Sequence, residues 1–283
     1  MTNRTIFNAY NETKSRLFAA NVEDYGFEAR VIIRHITGFD NKKIMLNYNA
    51  VLTDLQQSEL DRITEKRCGG EPLQYILGEW SFYGRTFKVG TGVLIPRADT
   101  ETAVECALEL IKELKNPKIA DLCAGSGAIG ITLAKEREDA TVVLLEKYGE
   151  AAHYARENIE LNGAKNASLV SGDVYKGDLS DKQFDLIISN PPYVRTGDIK
   201  MLQREVLREP QEALDGGEDG LKFYRAITEN YKKAIAPGGF ICFEVGIDEA
   251  KAVGEMLLAA GFSGVGSKAD AGGVERVVFG TVK

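Results

Sequence analysis

From Lys118 onward, short apolar runs of strand character alternate with helical stretches, and this rhythm narrows the possible architectures more than any other feature of the chain. Strand character spans Lys118 to Cys123, Thr141 to Leu145, Ala167 to Val170, Phe184 to Ser189 and Phe240 to Val245. Helical periodicity falls between them, near Gly127 to Glu136, Glu150 to Leu161 and Leu221 to Ile235, with Asn162-Gly163 and Pro237-Gly238-Gly239 as stops. Parallel neighbours need long crossovers, which helices supply. The alternation therefore predicts an α/β fold with a mostly parallel sheet covered by helices on both faces. A last helix near Asp248 to Ala260, followed by strands over Phe262 to Ser267 and Glu275 to Gly280, predicts one antiparallel edge.

The first 97 residues have a different rhythm. Apolar positions at Ile6, Tyr10, Leu17, Phe18, Val31 and Ile32 recur at helical spacing, and a helix opens after Thr53, with Gln56 at the capping-box position, and ends at Cys68-Gly69-Gly70. Residues 1–71 read as a small helical bundle. The segment EPLQYILGEWSFYGRTFKVGTGVLIPR carries aromatics, valines and spaced glycines that suit short strands and turns, so 72–97 reads as a linker with a β-hairpin, leaving 98–283 for the sheet domain. Phe82 and Phe87 either bury this joint or line a path for a substrate. Arg97 either organises a cleft or meets a carboxylate. Thr100 and Glu101 open the next helix, where capping accounts for them.

Charge and cysteine usage exclude several classes. Residues 1–90 carry 12 Lys and Arg against 11 Asp and Glu, and the remainder 23 against 31, so neither part has the basic excess of a protein that grips a long nucleic-acid backbone. No apolar run approaches the roughly 18 residues of a membrane span. Cys68, Cys106, Cys123 and Cys242 lie too far apart for a CxxC motif, and with only two histidines, His35 and His153, no metal site is expected. The N-terminal MTNRTIFNAYNETKS has no apolar signal region, and a cytoplasmic placement is expected.

The run KIADLCAGSGAIGITLAKE places Asp121, Gly125, Gly127 and Gly130 where a strand passes into a helix. Glycines there let backbone approach a ligand, and the helix N-terminus offers donors. Such a loop serves dinucleotides, other adenosine cofactors and plain tight turns alike. The next strand, TVVLLEK, ends at Glu146, whose carboxylate can accept from both hydroxyls of a ribose, and Asp173 in SGDVYKG is placed for an adenine edge. No GxxxxGK[ST] phosphate loop is present, which removes the main support for an ordinary ATPase.

The fourth strand runs directly into Asn190-Pro191-Pro192-Tyr193. Asn190 offers an amide oxygen, and Pro191 offers a carbonyl on a backbone stiffened by two rings. Tyr193 can cover a planar group. Together they form a slot for a planar NH2, whose two hydrogens the two oxygens accept. Held so, the nitrogen is aligned with an electrophilic methyl, and positive charge developing on it is stabilised.

These residues resemble a known family. Asn190-Pro191-Pro192-Tyr193, with the loop Asp121-Leu122-Cys123-Ala124-Gly125-Ser126-Gly127-Ala128-Ile129-Gly130, is similar to the amino-methylating class of S-adenosylmethionine-dependent methyltransferases. The segments Glu71-Pro72-Leu73-Gln74-Tyr75-Ile76-Leu77-Gly78 and Ile95-Pro96-Arg97-Ala98-Asp99-Thr100-Glu101 narrow it to the peptide chain release factor glutamine methyltransferases, known as PrmC or HemK, and Glu209-Pro210 through Asp219-Gly220-Leu221 continue the likeness. The resemblance implies a Rossmann-like, seven-stranded methyltransferase domain behind a helical substrate-recognition domain and a hairpin. It also implies transfer of a methyl group from S-adenosylmethionine, leaving S-adenosylhomocysteine, to the side-chain amide of the glutamine in the Gly-Gly-Gln motif of class 1 release factors. The implied catalytic residues are Asn190, Pro191 and Tyr193, with Pro192, Phe82, Phe87 and Arg97 beside the substrate. The implied cofactor set is Asp121, Cys123, Ala124, Gly125, Gly127, Ile129, Glu146, Lys147, Gly172, Asp173, Val174 and Asn190.

The loop departs from the commoner DLGTGSG by Cys123 and Ala124, and Glu146 stands where Asp is frequent; acceptor chemistry survives both changes. The segment Arg208 to Gly220 is glycine-rich and charged, and is expected as a mobile excursion over the substrate. Two other functions use the same features: an adenine N6-methyltransferase on DNA or RNA, which needs a flipped base, and a non-catalytic protein that binds release factors or ribosomes. A monomer that contacts one protein partner and binds neither membrane nor nucleic acid stably is the simplest expectation.

Overall fold

The computed structural model describes residues 4–283 and divides the chain into two compact units. One holds the residues up to Gly78 together with Arg204–Arg208, and the other holds Glu79–Gln203 and Glu209–Lys283. Among the described residues no helix is long and apolar enough to cross a membrane.

The first unit consists of helices α1 (Ile6–Ala19), α2 (Tyr25–Thr37), α3 (Asn41–Leu46), α4 (Asp54–Cys68) and α5 (Leu73–Leu77). Ile6, Leu17, Ile32, Ile33, Leu60 and Ile63 close its core. The capping box read at Thr53 is present in both directions, Thr53 Oγ1 accepting from Gln56 N and Gln56 Oε1 from Thr53 N. Arg67 is buried and held bidentate by Glu28 at 2.6 and 2.9 Å, with Glu205 of the second segment at 2.9 Å. Helix α5 was not expected, since PLQYILG reads as strand and turn. Pro72 sets a helical entry at φ −55°, and Gly78 ends the turn in the left-handed region at φ +78°, so the brackets outweigh the β-favouring Tyr and Ile between them.

The second unit opens with the expected hairpin, β1 (Glu79–Phe82) paired antiparallel with β2 (Arg85–Lys88). After a single 3-10 turn over Ala98–Thr100 come α6 (Glu101–Leu110), β3 (Lys118–Leu122), α7 (Ala128–Glu136), β4 (Thr141–Glu146), α8 (Gly149–Leu161), β5 (Ala167–Ser171) and β6 (Phe184–Ser189). Then follow α9 (Lys222–Tyr231), β7 (Ile235–Glu244), α10 (Ala250–Ala259), β8 (Ser263–Ala269) and β9 (Glu275–Thr281). The seven large-sheet strands lie in the order β5-β4-β3-β6-β7-β9-β8, parallel from β5 to β7 and antiparallel at β9 and β8. Chain direction across the sheet reverses between β3 and β6, and ligands of such sheets bind at the strand ends flanking that reversal.

The central strands are buried on both faces, as their mostly apolar sequences require. Strand β7 begins earlier than expected. The helix stops at Tyr231, Ile235 already pairs with Phe184, and the chain then bulges through Gly238 at φ +77° before pairing again at Leu186 and Phe240. Ala-Pro-Gly-Gly thus bends a strand instead of preceding one.

Candidate active site

A cavity of about 990 Å³, including its open mouth, lies in the second unit at the C-terminal ends of β3, β4 and β6. Every element of its floor was legible as a strand end. Asp121 on β3 is buried; its Oδ2 accepts from Gly130 N at 2.8 Å, while Oδ1 has no partner among the described residues. Burial pushes its carboxyl up to about 7, against the pull of the Gly130 N–H. Beyond it, Cys123, Gly125 and Gly127 take left-handed backbone at φ +59°, +56° and +81°. A Cβ on Gly127 would come within 2.7 Å of Ile131, so glycine there serves both conformation and space.

Glu146, at the end of β4, ties this loop down. Its Oε2 accepts from Gly125 N and its Oε1 from Tyr148 N, both at 2.8 Å. Burial raises its pKa, and the Tyr148 and Gly125 N–H groups oppose the shift. Each oxygen accepts one bond and keeps a further lone-pair direction. Asp173 follows β5, with Oδ1 accepting from Tyr175 N at 3.0 Å and Oδ2 paired with Lys147 Nζ at 3.0 Å. Lys147 therefore meets the acid assigned to the adenine edge. A cofactor with a ribose diol and an amine-bearing base fits this donor set: carboxylates with spare lone pairs at two strand ends, a glycine backbone between them, and apolar walls from Ile129 and Val174.

Cys123, Ala124 and Gly172 also line the cavity, as do Arg97, Asn190 and Pro192. Arg97 is occupied by Glu209, whose other oxygen accepts from Ile95 N at 2.9 Å. Gly127, Pro191 and Tyr193 are not among the residues that line the cavity. Tyr193 turns its hydroxyl toward Glu244 Oε1 at 3.5 Å, so its ring buttresses the loop from the protein side instead of covering the space in front. Phe82 and Phe87 are corrected more sharply. They are fully buried, edge-to-face at 5.9 Å, and pack into the core with α6 and α7 instead of reaching the cavity. As large apolar groups on a four-residue hairpin, they anchor it.

Asn190 Nδ2 donates to Thr100 Oγ1 at 3.3 Å, which leaves Oδ1 as the end of the amide available to a ligand. Among the described residues nothing donates to the Pro191 carbonyl. Two acceptors are thus unspent at the end of β6. Thr100 was expected as a helix cap but makes no capping bond, and Glu101 accepts instead from Tyr83 N at 2.7 Å. The segment expected to be a mobile excursion is packed in place. Val194 and Asp215 form a parallel bridge, Gly216 N donates to Val194 O at 2.8 Å, and a Cβ on Gly216 would fall 2.6 Å from Tyr193 Cα. Its glycines permit close approach of two backbones.

Sequence reasoning missed Tyr148, Tyr175, Glu212 and Phe223 in the wall, and Glu244 behind it. The two tyrosines each lie two positions past an acid that was read, which is a usable signal. Glu244 has none, since it ends an otherwise apolar strand.

Comparison with known proteins places this geometry. The PrmC N-terminal domain pattern matches residues 8–78, and the methyltransferase small domain pattern matches 91–222. The release factor glutamine methyltransferase of Thermodesulfovibrio yellowstonii is 41% identical over 255 residues, covering 89% of this chain and 91% of the relative. The chain belongs to the release factor glutamine methyltransferase family. The Geobacter sulfurreducens member is 37% identical across 98% of this chain and 97% of its own. In fold, this release factor glutamine methyltransferase family member has distant solved counterparts. The T. thermophilus 16S rRNA N2 G1207 methyltransferase in complex with AdoMet and guanosine aligns at TM-score 0.52 and 20% identity, covering 72% of this chain and 50% of that one. A methyltransferase from Pyrococcus furiosus aligns at 0.50 and 17%, covering 81% and 98%.

Proposed function

We propose that this chain transfers a methyl group from S-adenosylmethionine to the side-chain amide nitrogen of the glutamine in the Gly-Gly-Gln motif of class 1 release factors. The observation that carries the reading is the pair of unspent acceptors at the end of β6, the Asn190 Oδ1 and the Pro191 carbonyl, beside a cavity whose acids suit an adenosine cofactor. When bound, that cofactor supplies an electrophilic methyl on a sulfonium.

The residues of the chain do the rest. Glu146, with the Gly125 backbone fixed to it, accepts from the ribose, and Asp173 with Lys147 closes the adenine end. Asn190 and Pro191 each accept one hydrogen of the substrate NH2, which holds the nitrogen in line with the methyl. The same two oxygens stabilise the positive charge that grows on nitrogen. No strong base is needed before transfer: the N–C bond forms as the S–C bond breaks, S-adenosylhomocysteine is the leaving group, and the proton passes to water afterwards. Pro192 walls the slot, and Tyr193 supports it from behind.

In this reading residues 1–71 recognise the body of the release factor, 72–97 link, and 98–283 carry the chemistry, in the cytoplasm where that substrate resides. The test is mass spectrometry of a release factor incubated with the protein and S-adenosylmethionine. One added methyl on the Gly-Gly-Gln glutamine is expected. Transfer to adenine in DNA or RNA with an unmodified release factor would overturn the reading.

A further inference from the structure

The helical unit carries a groove that the mechanism above does not use. It lies along α2 and α3, encloses about 1020 Å³ with its open mouth, and is lined by the buried Ile33 and Ile44. Phe27, Met45 and Tyr48 also line it, at 50%, 67% and 38% exposure. Large apolar groups left open together in one place mark a surface that another molecule covers.

Charge decides what covers it. In the same unit Arg4 and Arg16 pair with Asp61, Arg62 with Glu59, and Arg67 with Glu28 and Glu205. Arg30 and Arg34 have no ion-pair partner among the described residues, and both line the groove. They are four positions apart on α2 and so stand side by side on one helix face, where two like charges repel until an anion comes between them. Among the described residues no carboxylate lines the groove. The anion must therefore come from the occupant.

Two guanidinium forks beside exposed methionine and aromatic side chains suit a protein segment. Carboxylates meet the forks bidentate, and apolar side chains fill the space over Ile33 and Ile44. A nucleic-acid backbone offers the charge but no aliphatic side chain for that space.

We propose that the groove along α2 and α3 docks an acidic, apolar-anchored segment of the release factor, with Arg30 and Arg34 taking its carboxylates. The inference rests on the methyl-transfer reading for the identity of the partner. It deepens that reading, because a Gly-Gly-Gln loop is a short recognition element, and a second attachment of the same substrate raises the effective concentration of the loop at the cavity. The groove then supplies affinity, and Asn190 with Pro191 supplies the chemistry.

The test uses the full chain and an intact release factor, with binding followed by isothermal titration and methyl transfer measured on the same preparations. Arg30→Glu combined with Arg34→Glu should raise the dissociation constant and KM about 10- to 100-fold, while kcat at saturating release factor and S-adenosylmethionine affinity stay within about twofold. Met45→Glu, at an exposed position, should raise both constants about tenfold. Raising salt from about 0.05 to about 0.5 M should weaken wild-type binding and leave the arginine variant nearly unchanged, a pattern that a folding defect does not produce. Dissociation constants and KM within about twofold of wild type in both variants would overturn the proposal. A wild-type dimer that the variants dissolve would then assign the groove to a second copy, and loss of binding to a fluorescent single-stranded RNA would assign it to nucleic acid. A release factor that binds through the arginines and gains no methyl leaves the groove standing and sinks the functional reading. A release factor that gains the methyl with KM unchanged in the variants does the reverse, and one that the wild type does not bind overturns both.

Discussion

Gly125 donates its N–H to Glu146 Oε2 at 2.8 Å, so the acid assigned to the ribose also holds the glycine loop in place. Two roles in one side chain give a specific expectation. Glu146→Ala should weaken S-adenosylmethionine binding by about 10- to 100-fold, the equivalent of losing charged hydrogen bonds worth about 1.5–3 kcal/mol. Isothermal titration with S-adenosylhomocysteine measures this, and wild-type affinity in the variant would remove Glu146 from the site.

Gly216 is set against the Tyr193 backbone, where a Cβ would meet Cα at 2.6 Å and the Tyr193 carbonyl carbon at 2.7 Å. No rotamer change relieves a clash with main chain. Gly216→Ala should therefore displace the Asn190–Tyr193 loop, lowering stability by about 1–3 kcal/mol and kcat by more than tenfold, with cofactor affinity little changed. Gly197→Ala, with open space around its Cβ position, is the matched control and should be silent by thermal denaturation and by turnover.

Stability should depend on pH in an unusual direction near neutrality. Burial raises Asp121 from 3.8 and Glu244 from 4.5, each to about 7. Between the unfolded and folded values the native state holds protons that the unfolded chain has released. Their stabilisation is present in full below the unfolded value and is lost as pH rises through about 7. Going from about pH 5 to about pH 8 should cost on the order of 2 kcal/mol per group, and Glu244→Gln should remove one share. Denaturant titrations at the two pH values check this; a stability that rises over the interval would contradict it.

The sheet was legible because its central strands are mostly apolar and its crossovers keep helical periodicity. Strand ends at Glu146 and Ser189 therefore fell where they were expected, and with them Asp121, Glu146, Asp173 and Asn190 around one cavity. Local composition misled where long-range packing set the outcome. Phe82 and Phe87 on a short hairpin read equally as packing at the joint or as ligand contacts, and nothing nearby in sequence tells that α6 and α7 bury them. The glycines at 216 and 220 look like flexibility, and only the return of the chain onto Tyr193 reveals them as spacers. Thr100 looks like a cap because helix starts favour threonine; its hydroxyl is claimed by Asn190, 90 residues away.

Asn190 holds the centre of the account, and the Asn190→Ala variant addresses it most directly when single-turnover methyl transfer and S-adenosylmethionine affinity are measured on the same preparation. Loss of a preorganised acceptor that aligns the nitrogen should lower the transfer rate by about 100- to 1,000-fold while affinity stays within about threefold. A transfer rate equal to that of the wild type would contradict it.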